Sequence, residues 1–240
     1  MSLKSSLLAA LISLTLFSCS REFKPIAFEE KNITTASNTI VEINIPEAIG
    51  SGMASKNINS TLLEKTALAL QTNQDSIQNI DIEKNINTFN KAYTEFKTDF
   101  PETALEWEAQ IDGEVMFQSP EVLSIALTSY TNTGGAHGIL VISFLNFDAK
   151  SGLLLDNQKL FTDFESFKKL AKSYFDKEIE DKKDLYFDPD TFVLPQNIGY
   201  SPDGLTLLYN SYEIAPYSTG ITEFVIPFSE ADSYLKFNGL

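Results

Sequence analysis

Two runs of alternating apolar residues, joined by a Gly-Gly loop, constrain this chain most. They lie between Ser129 and Phe147 in the string SYTNTGGAHGILVISFLNF. Alternation with a period of two places one side of each run in a core and the other in solvent, which is strand behaviour. The loop is too short to return a chain for parallel pairing, so the two strands must be antiparallel neighbours. The same loop carries His137, the sole histidine of the 240 residues.

The alternation begins earlier. Leu105, Trp107, Ala109 and Ile111 point one way, and Glu106, Glu108, Gln110 and Asp112 the other. Asp112-Gly113 reads either as a tight turn or, as preferred, as a bulge in one strand running on through Val115 and Phe117. Ser119-Pro120 leads into a strand from Val122 to Thr131, and Ile139 to Phe147 follows the loop. Asp148 to Gly152 is a turn before a short extension at Leu153 to Leu155. These segments form an antiparallel meander.

Before the meander, Ser20 to Ile33 reads as a tether leading into a first strand, and Thr39 to Ile45 as a strand stopped by Pro46. A helix is expected from about Ser55 to Thr72, with Ile58, Leu62, Leu63, Ala67 and Leu70 on its apolar side. A second carries Ile82, Ile86, Phe89, Tyr93, Phe96 and Phe100 in one stripe, with Asp81 as its cap and Pro101 as its stop. A third spans Phe161 to Glu180, capped by Asp163. Its lysines, Lys168, Lys169, Lys172 and Lys177, cover the solvent side. Strands near Val193, at Leu205 to Tyr209 and at Ile221 to Ile226, with a turn at Ser201 to Gly204, precede a helical turn at Pro227 to Leu235. The expected class is α+β, a curved antiparallel sheet meander packed by about three helices. The expected division is residues 1–19 as leader, 20–33 as tether and first strand, 34–150 as one subdomain holding the central hairpin, and 151–240 as a second.

The N-terminus has the form of a leader. Lys4 supplies a positive start, and Leu7 to Phe17 is an apolar run too short to span a bilayer. It ends in Leu16-Phe17-Ser18-Cys19, which resembles a bacterial lipobox with Cys19 as the lipid-bearing residue. Two acyl chains anchor stably where one does not. That places the chain on the extracytoplasmic side of the cell envelope, in the periplasm or at the cell surface. Cys19 is the only cysteine, so the core alone must supply stability.

Charge narrows the partners. Eighteen basic residues face 33 acidic ones, a net −15. Nucleic-acid binding, which rests on cationic side chains, is excluded, whereas a cationic partner would be steered in. One histidine cannot supply the ligand set of a two- or three-histidine zinc enzyme, and no metal or cofactor is expected. There is no nucleophile elbow, phosphate loop or dinucleotide fingerprint. His137 reads in two ways. It is either a loop site with Asn132, Thr133, Gly134 and Gly135, whose backbone lets a ligand approach closely, or a residue that satisfies a carbonyl while the glycines make the turn.

The strings YTNTGGAHGI, NFDAKSG with Leu160-Phe161, and DGLTLLYNSYEIAPYSTGITEFVIPFSE resemble a paired domain of the bacterial envelope. The pair occurs in the extracytoplasmic part of the anti-sigma factor RsiV and ahead of the catalytic domain of the deacetylase PdaC. The resemblance covers about residues 24 to 237 and is sharpest at Tyr212 to Tyr217 and Gly220. It implies helices covering an antiparallel sheet. In RsiV-like proteins it implies binding of lysozyme, a strongly basic protein, and it adds Tyr212, Glu213 and Tyr217 to the ligand-binding candidates. The chain shows no counterpart of the RsiV membrane helix and sigma-binding segment, nor of the PdaC deacetylase domain, so neither activity carries over. The expected function is a lipid-anchored envelope protein that binds lysozyme or a cell-wall glycan without turnover. The alternatives are an enzyme modifying peptidoglycan or polysaccharide, with His137 as acid–base residue, and a structural or assembly lipoprotein.

Overall fold

The computed structural model describes residues 23–71, 80–102 and 105–237. The expected leader, residues 1–19 with Cys19, lies outside the described residues. The chain forms β1 (Phe28–Asn32), β2 (Val41–Ala48), α1 (Met53–Ala69), α2 (Ile82–Asp99), β3 (Glu108–Gln118), β4 (Val122–Asn132) and β5 (Ile139–Asp148). It continues with α3 (Phe164–Glu178), β6 (Asn197–Ser201), β7 (Gly204–Tyr209), β8 (Thr222–Ile226) and a single turn, α4 (Phe228–Ala231).

The class is α+β, and β3, β4 and β5 make the expected antiparallel meander. The whole sheet, ordered β1-β2-β3-β4-β5, is mixed, because β2 runs parallel to β3. The α1–α2 crossover supplies the length that a parallel connection needs. The remaining strands form a separate antiparallel sheet, β6-β7-β8.

Three expectations about the strands are corrected. Pro46 does not stop β2, which runs on to Ala48 and pairs Pro46 with Glu30. Ile49 donates to Ala27 across the β1 edge, so Pro46 turns its nitrogen the other way, where pairing with β3 has ended at Asn44. The missing donor costs no ladder bond. Second, β3 is one strand, but its bulge falls between Val115 and Phe117 and not at Asp112-Gly113. Gly113 serves packing instead, since a Cβ there would sit 2.5 Å from the Pro46 ring. Third, the strand expected near Val193 is β6, which begins at Asn197.

The helices follow their caps. Asp81 accepts a hydrogen bond from the Lys84 amide to open α2, and Asp163 does so from Ser166 to open α3. The Ser166 hydroxyl and then the Ser166 amide hold the Asp163 carboxyl below its usual value. Phe161 lies before α3, stacked on Phe167 at 4.1 Å. The aromatic stripe of α2 is core only at Ile86 and Phe89, and Phe100 is exposed.

Alternation along β4 makes the sheet a wall between two cores. Leu123, Ile125 and Leu127 face α1 and α2 with Ile43, Ile58, Leu62 and Ile111. Val122 faces the other way, into a core with Phe167, Phe175, Ile198, Leu205 and Leu207. The second sheet is fastened to this face where Ser124 accepts from the Tyr200 amide at 3.2 Å. Asn146 donates to the Ile198 carbonyl at 2.6 Å beside it.

Candidate functional site

The β4–β5 loop is fixed in two halves. Asn132 accepts a hydrogen bond from the Gly134 amide at 3.0 Å, and Gly134 turns with φ +80°. It packs against Trp107 and Phe96, beside α2, while Thr133 and Gly135 are exposed. The second half, His137-Gly138, turns to the opposite side. Gly138 is buried, and a Cβ there would overlap the Tyr130 ring at 2.3 Å.

That second half meets the aromatic loop between β7 and β8. The His137 ring stacks on Tyr217, with centroids 3.8 Å apart and planes 27° from parallel. His137 Nε2 and the Tyr212 hydroxyl share a hydrogen bond at 3.1 Å, and Tyr212 stands 5.7 Å from Tyr217, centroid to centroid. The Tyr217 hydroxyl donates to the Gly138 carbonyl at 3.1 Å. Three rings from two loops, 75 residues apart at the hydrogen bond, thus form one cluster. Tyr212 is 53% exposed.

The aromatic loop is built to hold this pose. Tyr212 adopts φ +73°, a left-handed conformation unusual for a bulky residue. It is held by a bond from its amide to the Ala215 carbonyl, while Glu213 donates its own amide to Asn210. Asn210 clamps the outer edge of β5 like an added strand. Its Oδ1 accepts from the Ile142 amide at 2.8 Å, and its Nδ2 donates to the Ile142 carbonyl at 3.0 Å. Nδ2 also lies 3.3 Å from a Glu213 carboxylate oxygen. Burial, and then the Glu213 charge, push the neighbouring Tyr209 hydroxyl well above its usual value, so it stays protonated and donates to Val193.

Of the sequence candidates, His137, Tyr212 and Tyr217 come together, while Glu213, next to Tyr212 in the chain, bonds to Asn210 and not to the rings. Gly134, held by Asn132, lies on the Trp107 side of the loop, and Thr133 and Gly135 are exposed and outside the ring cluster. Asn210 had no sequence signal. Neither did the exposed apolar flank of Leu185 and Phe187, which borders the loop through bonds of Leu185 to Thr219 and of Phe187 to Ile214. The exposed Ile139, Leu140 and Val141 had one: four successive apolar residues, Ile139 to Ile142, break the alternation at the start of β5.

The cluster can stack, donate and accept, but its chemistry is limited. Among the described residues His137 bonds to a phenol and to no carboxylate. No group of three His, Cys, Asp or Glu residues among them is arranged to hold a metal ion. No helix among them is long and apolar enough to cross a membrane.

Two family models match the chain. The first, deacetylase PdaC, covers residues 33–140, and the second, a protein of unknown function (DUF3298), covers residues 155–229. The chain carries the PdaC–DUF3298 domain pair. His137 falls in the first match and Tyr212 to Gly220 in the second, so the ring cluster joins the two members of the pair. Solved structures agree on the fold. A DUF3298 family member from Bacteroides fragilis is 21% identical with a TM-score of 0.64, covering 89% of this chain and 94% of its own. One from Pseudomonas aeruginosa is 20% identical with a TM-score of 0.60, covering 90% and 96%. No curated protein matches the chain.

Proposed function

We propose that this PdaC–DUF3298 pair is a lipid-anchored envelope protein that binds a basic protein, with lysozyme the leading candidate and a cell-wall glycan the other, and performs no turnover. The observation that carries this reading is the meeting of the two loops. Histidine and tyrosine are well suited to recognition because they bring rigid rings that also hydrogen-bond, tyrosine through one hydroxyl and histidine through two ring nitrogens. The apolar flanks at Ile139 to Val141 and at Leu185 and Phe187 extend the contact area beyond the rings. An acidic chain attracts a basic partner over long range.

The position of the chain start supports this. Gln118 bonds the Ile26 amide and carbonyl at 3.0 and 3.2 Å, which ties the first described residues to the base of the β3–β4 hairpin. The ring cluster lies at the other end of β4, eleven residues and about 35 Å away. A lipid on Cys19 would leave the cluster facing away from the membrane. An acid–base role for His137 would need a carboxylate to orient the ring, and its partner is Tyr212.

Calorimetry with lysozyme tests the reading. Binding should be micromolar or tighter at low salt and weaken steeply as salt screens the charges. Tyr212→Ala and His137→Ala should each weaken it while the melting temperature stays nearly constant. Absence of heat at low salt would count against a lysozyme partner. Loss of fold in His137→Ala would make the histidine structural.

A further inference from the structure

The face of the five-stranded sheet opposite α1 and α2 is covered only in part. At the bases of β4 and β5 the second sheet sits on it, through Val122, Ser124 and Asn146. Further along, register brings residues of four strands onto the same surface. Glu42 on β2 stands beside Gln110 on β3, flanked by Glu108, Asp112 and Glu114. Gln110 in turn pairs with Tyr130, and Tyr130 with Leu140. The four carboxylate residues and Leu140 are exposed.

No cation balances these charges within the sheet. Lys31 is the only basic residue in the five strands, and it pairs with Ile45 on the helix side, where it bonds to Glu47. At the rim of β2 and β3 an open hollow of about 690 Å³ is bordered by Glu42, Glu106 and Glu108. The carboxylates are not gathered for one ion. From Glu108 to Glu114 the row extends about 20 Å, with alternate residues about 7 Å apart. A spread row beside an apolar pair matches the outline of a protein surface, charged at intervals and greasy in one place.

We propose that this half-face is the docking surface for a cationic protein, whose lysines or arginines lie over Glu42, Glu108, Asp112 and Glu114 and whose apolar residues cover Tyr130 and Leu140. The inference deepens the binding function proposed above, on which it rests, by giving that partner a second contact area beyond the ring cluster. Metal ions and polyphosphates fit poorly, the first because the row is dispersed and the second because it is negative.

The test compares two neutralised variants with the same change in net charge. One carries Glu42→Gln, Glu108→Gln, Asp112→Asn and Glu114→Gln on the open face. The other carries Glu64→Gln, Glu83→Gln, Glu95→Gln and Asp99→Asn on the exposed sides of α1 and α2. Both are titrated at low salt with lysozyme and with poly-L-lysine, after thermal unfolding shows that they are folded. The open-face variant should bind at least about tenfold more weakly, with a shallower salt dependence, and the helix variant should change less than about threefold. Equal losses in both would reduce the effect to net charge and overturn the proposal. If Tyr212→Ala weakens binding and the open-face variant does not, the functional reading stands and this surface falls. If the parent protein binds neither probe, both fall together.

Discussion

Asn210 is the residue whose removal tests the architecture of the site most sharply. It is 8% exposed and donates to and accepts from one residue, Ile142, at 3.0 and 2.8 Å. Asn210→Ala removes both bonds and the weaker contact with Glu213 at 3.3 Å. A typical internal hydrogen bond contributes about 0.5–1.5 kcal/mol net. Ile142 is half-buried on an edge strand. Water can therefore reach part of the exposed backbone, and the full desolvation penalty does not apply. The expected loss is about 2 kcal/mol. For a chain of this size each kcal/mol lowers the melting temperature by about 2–4 °C, giving a fall of about 4–8 °C. Hydrogen exchange adds a local readout: the Ile142 amide should exchange faster in the variant while amides of α3 do not. Tyr217→Phe, which removes the donor to Gly138, should couple to Asn210→Ala in a double-mutant cycle, because both clamp one loop to one strand. A melting temperature within 1 °C of the parent, with unchanged Ile142 exchange, would refute the clamp.

Two further predictions concern the frame. Phe167 is fully buried and stacked on Phe161, so Phe167→Ala should cost about 3–5 kcal/mol, seen as a lower denaturant midpoint. Asp148 is held below its usual carboxyl value, first by the Ser151 hydroxyl and then by the Ser151 amide. A lowered folded value favours the ionised form. Its contribution is present above the unfolded carboxyl value and is lost as pH falls through the folded one. Ser151→Ala should therefore be less stable than the parent at neutral pH, with the gap closing in acid. A gap that stays constant across the acid range would contradict that assignment.

The hairpin was legible because its signal is local: two largely apolar runs, Val122 to Thr131 and Ile139 to Phe147, with glycines between. The caps Asp81 and Asp163 were legible for the same reason, since each bonds an amide three residues away. What sequence did not show depends on partners far along the chain. The parallel placement of β2 on β3 is decided by where two helices pack. Pro46 is tolerated only because of the edge to which its nitrogen turns. Phe100 continues the α2 stripe in spacing, yet the core ends before it. The site follows the same division. His137 and the Tyr212 to Gly220 run each stood out within their own loops, but their contact is tertiary, and Asn210, which holds it, has the sequence appearance of an ordinary turn residue.

Two loops, one from each member of the domain pair, are proposed to form a single binding surface. Hydrogen exchange of the protein with and without lysozyme, at low salt, tests it most directly. Residues 132–138 and 210–220 should gain protection together on binding. A complex that protects neither loop, or only one of them, would contradict it.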